Sequence, residues 1–165
     1  MPKVLFVCMG NICRSPAAEE VFKKLIQTEK LESIIQVDSS GTIGYHSGEL
    51  PDARMRKHAL QRGYDLTSRA RQFNPKKDFD EFDYIVTMDD DNYEDILSLD
   101  IKNAYRNKVY KITSFSSDKS VSEVPDPYYG ESDGFENVLD ILEDCTKNLL
   151  KKIKSDVDGK HKNYN

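Results

Sequence analysis

Tryptophan is absent from these 165 residues, and cysteine and histidine occur three times each. A small, odd number of cysteines does not build a disulfide scaffold, so a reducing, cytoplasmic setting is expected. No apolar run approaches the ~18 residues of a membrane span, and no signal-peptide pattern is visible. Neither membrane association nor secretion is therefore expected. Cys8 and Cys13 find no histidine pair at ligand spacing, and Cys145 stands far away. That argues against zinc. The run Asp89-Asp90-Asp91-Asn92 lacks the glycine of a calcium loop. No metal or cofactor is expected. The G-x-x-x-x-G-K-[ST] nucleotide loop is missing as well.

Charge is plentiful but uneven. The net charge of −5 disfavours a nucleic-acid partner. Residues 1–77 carry 13 Lys/Arg against 8 Asp/Glu, or +5, and residues 78–165 carry 11 against 21, or −10. The basic half suits an anionic ligand. The acidic run from Asp78 to Asp100 reads as a solvated face with helix caps.

The strongest local signal lies at the start, V-L-F-V-C-M-G-N-I-C-R-S-P, from Val4 to Pro16. Val4 to Val7 are apolar on both faces, which suits a buried parallel strand. Ser15 is a good N-cap and Pro16 a good first helical residue. Ala18, Val21, Phe22, Leu25 and Ile26 then recur at helical spacing. Cys8 thus ends a strand, and its loop feeds a helix N-terminus. Main-chain N–H groups from Met9, Gly10, Asn11, Ile12, Cys13, Arg14 and Ser15 can converge there on an anion. Arg14 adds a planar fork for two phosphate oxygens. The same field favours the thiolate form of Cys8, a nucleophile beneath the anion. Ser15 either donates to Cys8 or only caps the helix. Asn11 suits a left-handed turn. Taken singly, Cys8 would read as a small core residue and Arg14 as a surface one; together they face one loop.

Strands and helices alternate. Strands are predicted at Lys3–Cys8, Ile35–Ser39, Tyr84–Met88 and Lys108–Ile112. Helices are predicted at Pro16–Lys30, at Pro51–Arg62 with Gly63 as its stop, and after the cap Asp89. A long helix is predicted over Phe135–Lys154. Asn74-Pro75 starts a turn or short helix. This order predicts an α/β fold with a parallel sheet and right-handed crossovers. One domain over residues 1–154 is expected, followed by a frayed polar tail, 155–165. No internal repeat is present.

Near the other end, Asp126 stands between Pro125 and Pro127, which deny the backbone regular geometry. A carboxylate held in such a loop can give a proton to a departing oxygen and take one from water. By itself it would be an ordinary turn aspartate.

The run Cys8 to Ala17, with its C-x-x-x-x-x-R-S core, resembles the signature of the low-molecular-weight protein tyrosine phosphatases. The resemblance continues at Asp38-Ser39-Ser40-Gly41-Thr42, Pro51-Asp52-Ala53-Arg54, Ala70-Arg71-Gln72, Met88-Asp89 and Asp126-Pro127-Tyr128-Tyr129-Gly130, over residues 3 to 154. It implies a three-layer fold, with a four-stranded twisted parallel sheet, helices on both faces and the catalytic loop between strand 1 and helix 1. It further implies hydrolysis of phosphotyrosine or small aryl phosphates through a phosphocysteine on Cys8, with Arg14 on the phosphate and Asp126 as acid and base. Tyr45 and Tyr128 would flank the substrate ring, Tyr129 would lie close by, and Cys13 would pair reversibly with Cys8 on oxidation. A monomer is expected, with weak self-association left open. Ser68 stands where the family often has a histidine supporting the asparagine. Alternatives on the same fold are an arsenate reductase, a protein arginine phosphatase, or a phosphate-binding module without turnover. The chain lacks relay cysteines for arsenate, and Ile12 favours an aryl ester over phosphoarginine. His46, His58 and His161 are expected to be surface or packing residues.

Overall fold

The first strand is apolar on both sides because it is covered on both sides. The computed structural model describes residues 1–162, with side chains through Lys160. Four parallel strands, β1 (Lys3–Cys8), β2 (Gln36–Gly41), β3 (Tyr84–Thr87) and β4 (Val109–Lys111), lie in the order β2-β1-β3-β4. The helices are α1 (Arg14–Thr28), α2 (Ala53–Gln61), α3 (Asp78–Glu81), α4 (Asp90–Leu99) and α5 (Ser132–Lys162). Val4 and Phe6 of β1 share one core with Val21 and Phe22 of α1 and with Leu139 and Leu142 of α5. Leu5 and Val7 point the other way, into a second core with Phe79 of α3 and Ile96 of α4. The result is the expected three-layer α/β fold, with helices on both faces.

Strand order fixes where a ligand can enter. From β1 the chain moves to β2 on one side, then crosses over to β3 on the other. The crevice beyond the carboxyl ends of β1 and β3 is therefore the topological switch point, the usual ligand site of an open α/β sheet. Cys8 is the last residue of β1.

Several boundaries differ from the sequence reading, each for a local reason. Helix α1 starts at Arg14, not Pro16, with Cys13 in the cap position and no side-chain cap bond. Ser15 is inside the helix because its hydroxyl is engaged elsewhere, by Cys8 and Asn11. Strand β2 is shifted to Gln36–Gly41, since its pairing with β1 runs on to Cys8↔Gly41. Helix α2 starts two residues late because Asp52 caps it, accepting from the N–H groups of Arg54 and Met55. Gly63, at φ 86°, follows its end, in a backbone conformation that glycine adopts without penalty. Strand β3 stops at Thr87 and β4 spans only three residues, Ile112 entering a 3-10 turn.

Helix α5 is longer than expected at both ends and runs into the segment predicted to fray, as far as Lys162. Its added turns have anchors. The Tyr84 hydroxyl donates to Asp156 at 2.6 Å, and Lys152 pairs with Asp156 one turn away. Ile153 is also buried. The side chain of His161 and residues 163–165 lie outside the described residues.

The cores are well filled. Phe6 and Phe22 are fully buried and meet edge to face, ring centres 5.7 Å apart. Phe6→Ala leaves a ring-sized cavity beneath Cys8 and is expected to cost about 3–5 kcal/mol of unfolding free energy. Urea denaturation checks this; an unchanged midpoint would show that the core shared by β1, α1 and α5 is not a main source of stability.

Candidate active site

A cleft of about 470 Å³ opens at the switch point. Cys8, Met9, Gly10, Ile12, Cys13 and Arg14 line it from the first loop. Ile43, Tyr45 and His46 come from the loop after β2, and Asp126, Tyr128 and Tyr129 from the loop before α5. Its volume suits a small ligand. A wider groove of about 610 Å³, bordered by Glu20, Lys23, Glu32, Asp38 and Glu81, holds no cysteine. Cys8, Cys13 and Arg14 line the smaller cavity.

The loop from Met9 to Cys13 is held by a polar network rather than by apolar packing. Asn11 is buried with φ 58°, the left-handed region that asparagine tolerates. Its amide nitrogen donates to Ser15 Oγ at 2.8 Å and to Ser39 Oγ at 3.0 Å. Its oxygen accepts from the Arg71 N–H at 3.0 Å. Ser39 in turn donates to buried Glu19 at 2.6 Å, and Glu19 is paired with Lys23. Gly41 lies so close that a Cβ there would meet the Met9 carbonyl oxygen at 2.6 Å. Among the described residues, no group accepts a hydrogen bond from the main-chain N–H groups of Met9 through Ser15. These donors, at a helix N-terminus, are free for an anion.

Cys8 is 2 % exposed, and its Sγ lies 3.0 Å from Ser15 Oγ. Ser15 already accepts from Asn11, so its own proton is available to the sulfur or to the Ser40 carbonyl at 3.3 Å. The charge of Arg14 is held in place on one side. Its Nη1 donates to Asp89 Oδ2 at 2.5 Å and to the Val124 carbonyl at 3.1 Å. Its Nη2 lies 3.6 Å from Asp126 Oδ2. Burial works against the Arg14 charge, but Cys8, Asp89 and Asp126 outweigh it and hold the pKa above the ordinary value. Asp126 Oδ1 accepts from the Tyr128 N–H at 3.0 Å, which leaves Oδ2 turned to Arg14.

Cys13 is a different thiol. Burial, followed by Asp52, Cys8 and Asp126, pushes its pKa up, so it stays protonated.

The whole-chain comparisons agree. The family model for low molecular weight phosphotyrosine protein phosphatase matches residues 3–159. The chain belongs to this family.

A Synechocystis protein named as a candidate low molecular weight protein-tyrosine-phosphatase is 50 % identical over 151 residues, covering 92 % of this chain and 96 % of that one. The human low molecular weight phosphotyrosine protein phosphatase is 39 % identical, covering 90 % and 94 %. The crystal structure of a protein tyrosine phosphatase from Entamoeba histolytica superposes with a TM-score of 0.90 at 47 % identity, covering 94 % and 98 %.

Cys8, Arg14 and Asp126 line one cleft. Asn11 and Ser15 stand behind the loop as its supports and do not line the cleft. Tyr45 and Tyr129 are largely exposed, at 83 % and 84 %, and Tyr128 is 39 % exposed. His58 stacks on Phe135 and bonds to Glu136, as a packing histidine does. His46 instead reaches the cleft, its Nδ1 2.6 Å from Glu49. Its place beside Tyr45 in the sequence was the available signal. Asp89 was read as a helix cap. It caps α4 through Asn92 and also holds Arg14. Among the described residues, Ser68 is not a hydrogen-bond partner of Asn11, whose partners are Ser15, Ser39 and the Arg71 N–H.

Asn11→Ala removes three hydrogen bonds and leaves buried groups unpaired. It is expected to cost about 1–3 kcal/mol of stability and to lower turnover of an aryl phosphate. Chemical denaturation and an initial-rate assay check both; a variant with parental stability and rate would show that the loop does not depend on this amide.

Proposed function

We propose that Cys8, Arg14 and Asp126 carry out the hydrolysis in this protein tyrosine phosphatase. The observation that carries the reading is the meeting in one cleft of a buried thiol, a loop with unclaimed main-chain donors, a fixed guanidinium and a loop carboxylate. The loop amides and Arg14 bind the phosphoryl oxygens of the ester. The Cys8 thiolate attacks phosphorus, an S–P bond forms and the P–O bond to the phenol breaks. Asp126, protonated, gives its proton to the departing oxygen. A water then attacks phosphorus, Asp126 takes the water's proton, and the S–P bond breaks to return phosphate and the thiolate. Ser15 steadies the thiolate whenever its proton turns to sulfur.

Substrates are phosphoproteins bearing phosphotyrosine, or small aryl phosphates. Tyr45 and Tyr128 hold the flat ring between them, with Tyr129 at the rim. Ile12, half-buried at the cleft, supports an apolar ring over a guanidino group. Cys145 is sealed in the core with its pKa pushed up to about 12 by burial and Asp144, a poor disulfide relay for arsenate. Cys13 protects Cys8 by capturing its sulfenic acid as a disulfide, water leaving. The protein works as a monomer in a reducing, cytoplasmic compartment.

Cys8→Ser is expected to abolish turnover of an aryl phosphate while the protein stays folded by circular dichroism; undiminished hydrolysis would sink the reading. Asp126→Ala is expected to lower kcat by about 10²–10⁴ with little change in binding, the usual worth of a positioned acid. Peroxide is expected to inactivate the enzyme and a thiol reductant to restore it. Equal recovery by Cys13→Ser would remove the protective role of Cys13.

A further inference from the structure

Asp126 stands on a loop with few polar ties to the rest of the protein, although Pro127 is buried. Among the described residues, the segment 125–131 receives two hydrogen bonds from outside it: the Gly134 N–H at the start of α5 donates to the Glu131 carbonyl at 3.0 Å, and Arg54 Nη2 donates to the Tyr128 carbonyl at 2.9 Å, two residues from Asp126. The Arg14–Asp126 pair at 3.6 Å is a further polar tie. Arg54 does not line the cleft and belongs to α2, not to the loop.

Arg54 is itself fixed on three sides. Its Nε and Nη2 fork onto Asp52 at 3.2 and 3.1 Å. Its guanidinium lies 5.3 Å from the Tyr128 ring centre and 5.1 Å from that of Phe135, the latter at the start of α5. Asp52 not only caps α2 but donates its own N–H to the Ile12 carbonyl at 2.8 Å. One covalent and polar path thus runs from the nucleophile's loop at Ile12, through Asp52 and Arg54, to the acid's loop at Tyr128. Tyr128 in turn donates its N–H to Asp126.

We propose that Arg54 is a positioning residue for proton transfer, a latch that sets Asp126 at a fixed distance from the Cys8 loop. The proposal rests on Asp126 being the acid. A planar guanidinium can fork on a carboxylate, donate to a carbonyl and lie against two rings at once; an ammonium cannot do all three. Proton transfer is sensitive to sub-ångström placement, whereas anion binding in the Cys8 loop does not use this path. The loss should therefore depend on the leaving group. A good leaving group departs with little help from an acid, and a poor one needs it.

The test measures kcat/KM on a series of aryl phosphates whose phenols become progressively weaker acids. Four full-length proteins are compared: the parent, Arg54→Met, Asp126→Ala and the double variant. Arg54→Lys serves as the conservative substitution. Arg54→Met is expected to lose roughly tenfold on phenyl phosphate, within the ~10²-fold that small misplacement can cost. Its loss on p-nitrophenyl phosphate is expected to be much smaller. Arg54→Lys should fall between parent and Met. In the Asp126→Ala background Arg54→Met should add no further loss, because the group it positions is gone. Competitive inhibition by inorganic phosphate should be unchanged in Arg54→Met, which also reports an intact fold.

An equal loss across the series would overturn the proposal. So would a loss that adds in full to that of Asp126→Ala, no loss at all, or weakened phosphate inhibition. An Asp126→Ala enzyme with the parent's leaving-group dependence would overturn the assignment of Asp126 itself, and the latch with it. That failure is visible before any Arg54 variant is considered.

Discussion

One side-chain amide holds the centre of this molecule. Asn11 sits at φ 58° and uses its oxygen and its nitrogen to join the Cys8 loop to α1, to β2 and to the Arg71 main chain. Without it, a loop of free N–H groups would have no reason to keep its turn, since those groups gain nothing from the protein itself. Its partners are held in turn: Ser39 by Glu19, and Arg71 by Asp38 and Asp78. A buried network of this kind is stable only when every member is satisfied. Here the hydrogen bonds run from the Glu19 carboxylate through Ser39, Asn11 and Ser15 to Cys8 without a gap.

Two carboxylates divide the work on Arg14. Asp89, at the end of β3, is fixed by the helix it caps, so it holds one edge of the guanidinium. Asp126 comes from a loop and faces the other edge at longer range. The sheet order accounts for the arrangement. The loops that follow β1 and β3 are neighbours at the switch point, and only the third contributor must be brought in from afar.

Much of this was legible in the chain. Alternating periodicity fixed the α/β class, and the Cys8–Pro16 run marked the strand–loop–helix corner because its residue types serve one purpose only in combination. Asp126, between two prolines, reads by itself as a turn residue; the family resemblance over Asp126 to Gly130 singled it out. What stayed hidden depends on distance in space. Nothing in the sequence tells Asp89, an ordinary helix cap, from a partner of Arg14. Glu19 reads as one more charge on an amphipathic helix, yet it is buried. Ser15 was misplaced as a cap because its hydroxyl has two possible uses, and tertiary partners chose between them. The long helix was cut short because Ser155 to Lys162 is polar; its anchor, Tyr84, lies on another element.

Gly41 carries a consequence for descent. Its missing side chain is the space in which the Met9 carbonyl sits. At position 41 a lineage that keeps this cleft has a single choice of amino acid, set by the width of one hydrogen atom.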